Sequence, residues 1–528
     1  MSRLRTSTIN VSLACLLAAC SSSSTGSSGT GGAAGQSGTG DSGGTSTSSS
    51  TTSGTTASAG SSSPASGGSG SQSSGAAAGS TGAGGGAGLG SSSGGKGGTG
   101  SAQTGSGGAG PRDAGTGNAP DVGLVAGDAR ARETGIGPAT EGGSSPSEEA
   151  GGSTPVGVST TENAFEGCNA SAGATKTNKK LPNPFAMHSG TVISKKSQWE
   201  CRRAEIKADL EKYEVGPKQE PPKVDASFSG GKLTVNITTS SGTMALTSTV
   251  SGSGSCVVIG MNGNSSMVSG CTQVPFMHDQ VVFEDQSASR KQSDPFYKVY
   301  PDLWNKIGNY SAWSWGISRL VDGIIAMKDE MKVDPTKIAV HGCSYAGKMA
   351  LFAGALDERI ALSVVEESGG GGIDSWRMSQ DFTTRTGTSV EKIDNTNYSW
   401  FMQSMKSLDP YSLPHDHHEL IAMIAPRAVI ILGNADYEWL GDESGYKSTM
   451  AAVEVFKAMG VPDAIGYDFT SGHKHCQPPA SQTSSVNAFV DKYLKGKSTS
   501  TSIAIKPTST KFDLDVTKAI DWTTPTLE

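Results

Sequence analysis

A serine acts as a nucleophile only when a base takes its proton and the chain holds its oxygen clear of the backbone. Ser344 is a candidate for that role. It sits in Gly342-Cys343-Ser344-Tyr345-Ala346-Gly347-Lys348, between an apolar run at 337–341 and a helix-like segment at 348–356. A tight strand-to-helix turn exposes the serine oxygen, and small neighbours let the helix start against the strand. The amide after the serine then points where a tetrahedral oxyanion would form, helped by the helix N-terminus. The spacing here is G-x-S-x-x-G, one residue longer than the common form of such a turn. A serine that merely caps a helix also fits these residues.

The base must come from elsewhere in the chain. Gly472-His473-Lys474-His475-Cys476 follows an apolar run at 465–469 and offers two histidines. Carboxylates to orient a histidine follow two other runs: Glu366 and Glu367 after 361–365, and Asp436 and Glu438 after 428–433. The order serine, acid, histidine is one that serine hydrolases use. His415, His417 and His418 form an H-x-H-H pattern. It lacks a fourth ligand, so a hydrogen-bonded structural role is expected there and no metal is.

These residues need a scaffold, and the spacing of apolar residues predicts one. Helices are expected at 197–213, 313–331, 348–356, 451–459 and 486–494. Residues 223–250 alternate apolar and polar between turns, which predicts antiparallel strands. Short apolar strands are expected at 257–261, 281–284, 337–341, 361–365, 428–433 and 465–469. Strands alternating with helices imply an α/β fold, a largely parallel sheet with helices on both faces. A serine on a strand-to-helix turn places it with the α/β-hydrolases.

The first third of the chain is of another kind. The sequence has 528 residues and 72 Gly, and no Phe, Trp or Tyr precedes Phe165. Without large apolar side chains, residues 20–160 cannot offset chain entropy, so they read as a flexible Ser/Gly-rich linker. Its root-mean-square reach is about 65 Å. Before it, Arg3 and Arg5 precede a short apolar stretch and Leu17-Ala18-Ala19-Cys20. That is a secretory signal over 1–19 with a small-residue cleavage site. It resembles the bacterial lipobox, which implies lipidation of Cys20. The remaining domain, 161–528, suits one large α/β enzyme. A net charge of −7 with both signs mixed gives no basic surface for nucleic acid. Eight cysteines include six beyond the leader, enough for up to three disulfides in an exported domain. No C-x-x-C pair favours zinc, and Cys256–Cys271 is a plausible local pair.

Ordered segments across 165–528 resemble the glucuronoyl esterases of carbohydrate esterase family 15. They are LPNPF at 181–185, WECRR at 199–203, WGISR at 315–319, GCSYAGK at 342–348 and DERIALSVVEESGGGG at 357–372. WR at 376–377, DHH at 416–418, APR at 425–427, WLG at 439–441, GHKHC at 472–476 and DWTTPTL at 521–527 complete the set. The resemblance implies a serine esterase that cleaves the ester between 4-O-methyl-glucuronic acid on xylan and lignin alcohols. It implies Ser344 as nucleophile, Glu367 as acid and His475 as base, with the Tyr345 backbone amide in the oxyanion site and no cofactor. It implies Lys348, Glu391 and Trp439 on the sugar, and the disulfides Cys343–Cys476 and Cys168–Cys201, leaving Cys256 with Cys271. Asp436 or Glu438 is the acid if Glu367 is misplaced.

Two departures bear on activity. The family usually carries Arg after the nucleophile, where this chain has Tyr345. Loss of one oxyanion donor costs roughly 10²–10³ in rate. Glu391 stands where a glutamine is common and would repel a free uronate. A third departure is Ser375, where fungal relatives carry a cysteine, so that disulfide is expected to be missing. The alternatives are another carbohydrate esterase, for acetyl, feruloyl or uronate methyl esters, and an inactive carbohydrate-binding protein. Partners are expected to be polysaccharide esters, with the membrane touched only through the lipid and the protein a monomer.

Overall fold

The computed structural model describes residues 156–528 apart from 164, 166, 285 and 287–289. The expected leader, Cys20 and nearly all of the expected linker lie outside the described residues. Three strands, β1 (Lys223–Ser229), β2 (Lys232–Thr238) and β3 (Thr243–Thr249), form an antiparallel meander. Seven more form a parallel sheet: β4 (Val257–Gly260), β5 (Thr272–Gln273), β6 (Ile338–Cys343), β7 (Ile360–Glu366), β8 (Ala428–Leu432), β9 (Ile465–Asp468) and β10 (Ala504–Ile505). Their order is β10-β9-β8-β7-β6-β4-β5. The helices are α1 (Trp199–Tyr213), α2 (Pro295–Val299), α3 (Asn309–Ala326), α4 (Lys328–Met331), α5 (Tyr345–Leu356), α6 (Trp376–Thr386), α7 (His417–Ala422), α8 (Asp442–Ala458) and α9 (Ala480–Tyr493). This is the expected α/β-hydrolase arrangement.

The central strands are apolar throughout because both faces are covered. Val257, Ile259, Val340, Val429 and Ile431 face one core with Leu320 of α3 and Met349 and Phe352 of α5. Their neighbours Val258, Ala339, Leu362, Val364, Ile430 and Leu432 face the other, against Val486, Phe489 and Val490 of α9. That i, i+3, i+4 stripe is what a one-sided helix needs, and each such side chain contributes about 1.5–3 kcal/mol on burial. The meander lies on α3, with Leu233, Val235 and Ile237 fully buried. Gly323 permits the approach: a Cβ there would stand 2.3 Å from Val235 Cγ2.

Several expected elements differ: the helices expected at 451–459 and 486–494 begin earlier, at Asp442 and Ala480. Residues 281–284 form no strand. Val281 and Val282 are apolar because they lie under α3, where Trp313 Nε1 donates to the Val282 carbonyl at 3.0 Å. The helix expected at 313–331 begins earlier, at Asn309, and breaks at Met327 before α4. Among the described residues three disulfides form, Cys168–Cys201, Cys256–Cys271 and Cys343–Cys476. Ser375 caps α6, its hydroxyl accepting from the Met378 amide. Among the described residues no helix is long and apolar enough to cross a membrane.

Candidate functional site

Ser344 is the N-cap of α5, at φ 59° and ψ −128°. A non-glycine residue in that region costs on the order of 1–3 kcal/mol and persists only where the surroundings enforce it. Two glycines enforce it here. A Cβ on Gly342 would stand 2.2 Å from the Ala346 carbonyl oxygen, and one on Gly347 would stand 2.4 Å from that of Glu366. The longer G-x-S-x-x-G spacing therefore has a reason: its last glycine seats α5 on β7. The Ser344 amide donates to the Glu366 carbonyl at 3.0 Å.

Glu366 and Glu367 are consecutive, so they leave β7 on opposite sides. Glu366 turns to His341 of β6, whose Nε2 is 3.1 Å from Oε2. Glu367, fully buried and at φ 41°, turns to the loop after β9. His475 Nδ1 lies 2.5 Å from Glu367 Oε2, and the Cys476 amide donates to Oε1 at 3.3 Å. His473 is farther, its Nδ1 3.6 Å from Glu367 Oε1, and its Nε2 contacts the Thr470 carbonyl oxygen at 2.8 Å. The other two carboxylates are spent elsewhere. Asp436 accepts from the Gly472 amide at 2.6 Å, and Glu438 pairs with Lys511 at 2.7 Å. The Cys343–Cys476 bond ties the residue before Ser344 to the residue after His475. A ring nitrogen of His475 and both bridged sulfurs lie within 4.8 Å of one another.

A cavity of about 350 Å³ adjoins this cluster, lined by Ser389, Glu391, Asn397, Trp400 and Trp439 among others. Trp439 is half exposed, and its ring meets that of His475 edge-on at 4.9 Å. Lys348, buried on α5, places Nζ 2.7 Å from Glu391 Oε2 and 4.8 Å from the centre of the Trp400 ring. The Glu391 carboxylate is thus offset by Lys348, which weakens the expectation that it repels an anion. Two indole rings beside a set of polar side chains suit a sugar.

Tyr345 is held on three sides. Its ring stacks on Trp400 at 6.2 Å, Asn262 Nδ2 donates to its hydroxyl at 3.0 Å, and His278 Nε2 lies 3.1 Å from that oxygen. Burial lowers the His278 pKa. Trp400, His278 and Asn262 carry no local sequence signal and emerge only from the fold. His415 and His417 both contact buried Glu214, at 3.0 and 2.7 Å. Burial would raise the Glu214 pKa, but the two histidines hold it down to about 2. His417 Nδ1 also contacts the Gly372 carbonyl, so this network braces the loop after Glu367. His418 Nε2 contacts the Pro182 carbonyl at 2.8 Å. Asp442, at the start of α8, is buried and near Glu367, and both effects push its pKa up to about 7.

The sequence model of fungal glucuronyl esterases matches residues 231–460. A 4-O-methyl-glucuronoyl methylesterase from Hypocrea jecorina is 35% identical over 363 residues, covering 67% of this chain and 77% of the relative. Another from Cerrena unicolor is 35% identical over 375 residues, covering 66% and 77%. The glucuronoyl esterase catalytic domain from Hypocrea jecorina superposes with a TM-score of 0.63 at 34% identity, over 67% of this chain and 98% of that one. An alanine mutant from Sporotrichum thermophile, in complex with methyl 4-O-methyl-β-D-glucopyranuronate, gives a TM-score of 0.62 at 31% identity, over 68% and 100%.

Proposed function

The chain belongs to the glucuronoyl esterase family and is a carboxylic ester hydrolase, and on that footing we propose that it cleaves the ester joining 4-O-methyl-glucuronic acid of glucuronoxylan to lignin alcohols. The contact of His475 with Glu367, pinned beside the Ser344 turn by Cys343–Cys476, is the observation that carries this reading. Ser344 Oγ attacks the ester carbonyl while His475 accepts its proton. Glu367 orients His475 and stabilises its cation. The Tyr345 amide, first in α5, donates to the oxyanion, aided by the helix N-terminus. His475 returns the proton to the leaving alcohol, then activates the water that releases the glucuronate. No cofactor enters any step. Trp439 covers the sugar, while Lys348 and Glu391 meet its hydroxyls as a pair of no net charge.

Tyr345 brings no positive charge to the oxyanion. Its hydroxyl is engaged by Asn262 and His278, so the backbone amide bears most of that load. The enzyme is exported through 1–19, is either anchored by a lipid on Cys20 with 20–160 as its tether or secreted, and is monomeric. The test is initial rates of the full chain on benzyl glucuronate, methyl galacturonate and acetylated xylan, with and without Ser344→Ala. A glucuronate preference abolished by the alanine supports the reading. Equal or greater turnover of galacturonate or acetyl esters refutes it.

A further inference from the structure

The residue after the nucleophile carries the amide that meets the oxyanion, so whatever fixes that residue fixes the donor. Ser344 itself gives little help. Its backbone is strained at φ 59°, and its side chain makes no capping bond to α5. Such a turn persists only where its surroundings enforce it. Gly342 and Gly347 let the turn form, and Tyr345 is gripped from outside it. Tyr310 Oη of α3 donates to the Tyr345 carbonyl at 3.2 Å, and the Tyr345 ring stacks on Trp400. At the tip of the ring the hydroxyl meets Asn262 and His278, which differ in depth. Asn262 is exposed, where water competes for its bond. His278 is only 3% exposed and packs on the Trp313 ring at 5.4 Å.

The series of contacts runs on past His278. Asp279 Oδ1 lies 2.6 Å from His278 Nδ1. A carboxylate only accepts, so the ring proton sits on Nδ1 and Nε2 presents a lone pair. Burial holds the His278 pKa down, which keeps that lone pair free at neutral pH. Asn262 Nδ2 can only donate to the Tyr345 hydroxyl, so the hydroxyl's own hydrogen goes to His278 Nε2, 3.1 Å away. Each link from Asp279 through His278 to Tyr345 therefore has one direction. We propose that His278 is a positioning residue for the oxyanion site, with Asp279 fixing its tautomer and the Tyr345 hydroxyl as its handle on the first amide of α5. The inference rests on the esterase reading above and adds two residues to its machinery. Neither His278 nor Asp279 is among the described residues lining the sugar cavity, so the effect belongs in turnover and not in substrate affinity.

The test is steady-state kinetics of the full chain on benzyl glucuronate. His278→Leu fills the space without an acceptor, and kcat should fall about tenfold, the size of one lost hydrogen bond, with KM within about twofold. His278→Gln offers a carbonyl oxygen to the phenol and should recover kcat to within about threefold of the parent. Tyr345→Phe keeps the ring stack, removes the hydroxyl and should match His278→Leu. Adding His278→Leu to Tyr345→Phe should then cost no more than about twofold further, because both remove the same bond. Losses that multiply in the double variant overturn the proposal. So does a glutamine variant no better than the leucine one, or a His278→Leu enzyme within about twofold of its parent. Melting temperatures show which variants are folded. If His278→Leu is not, Asp279→Ala replaces it, and should lower kcat about threefold alone and not at all beside Tyr345→Phe; any other pattern overturns the proposal. No turnover by the unmodified chain overturns the esterase reading, and the role of His278 with it.

Discussion

Replacing Cys343 and Cys476 together by serine should cost both stability and turnover. The bond closes a loop of 133 residues, against 33 for Cys168–Cys201 and 15 for Cys256–Cys271. In the chain-entropy account, cross-links over such loops stabilise by about 5, 4 and 3 kcal/mol respectively. The first is thus expected to matter most for folding. It is also the only one adjoining the site, because it fixes the loop carrying His475 to the strand end carrying Ser344. A displacement of about 1 Å at a reacting group can cost about 10² in rate. The double-serine variant should therefore unfold at lower denaturant and lose about 10²-fold in kcat, measured where it is still folded. The matching Cys256/Cys271 variant should lose the smaller stability increment and keep its kcat. Denaturant titration and initial rates on benzyl glucuronate check both. Full kcat in the folded Cys343/Cys476 variant would refute the claim that this bond positions the base.

Glu367→Gln should lower kcat by about 10³–10⁴ with little change in KM, as loss of an orienting carboxylate does in other serine triads, whereas Asp436→Asn should stay within about threefold. Steady-state kinetics on the two variants separates the carboxylates. Gly347→Ala drives a Cβ to 2.4 Å from the Glu366 carbonyl oxygen, so it should destabilise by about 1–3 kcal/mol in urea unfolding. Asp442 has a folded pKa raised to about 7, so its ionisation destabilises the folded state. Stability should fall as pH climbs from about 4 through about 7, and Asp442→Asn should remove that decline in melting temperatures taken across this range. Glu214 has the opposite sign: its contribution is present above about 4.5 and lost as pH falls toward about 2, and Glu214→Gln should flatten the acid limb of the same melting series.

The parts legible in the sequence are those written in local pattern. The stripe Val486, Phe489, Val490 announces α9, and the unbroken apolar runs of β6 and β8 announce a sheet covered on both faces. Such runs mislead where burial occurs without a ladder, as at Val281 and Val282. The choice between Glu366 and Glu367 was not available from the residues alone. Adjacent strand residues face opposite ways, and only the register of β7 on β6 and β8 says which faces the histidine loop. Family resemblance supplied what local pattern could not. Trp400, Asn262 and His278 were out of reach because they meet Tyr345 from three distant segments, with no spacing rule linking them.

Ser344, Glu367 and Cys476 share one oddity: each holds a left-handed backbone without being glycine. Each costs roughly 1–3 kcal/mol, and at Ser344, whose side chain holds no cross-link, glycine would relieve that strain and let the body fold more firmly. Selection for robustness alone would therefore erode this site, and its persistence depends on a continuing demand for turnover. In a lineage released from that demand, these positions are where drift should arrive first, with Ser344→Gly both inert and harder to unfold than its parent.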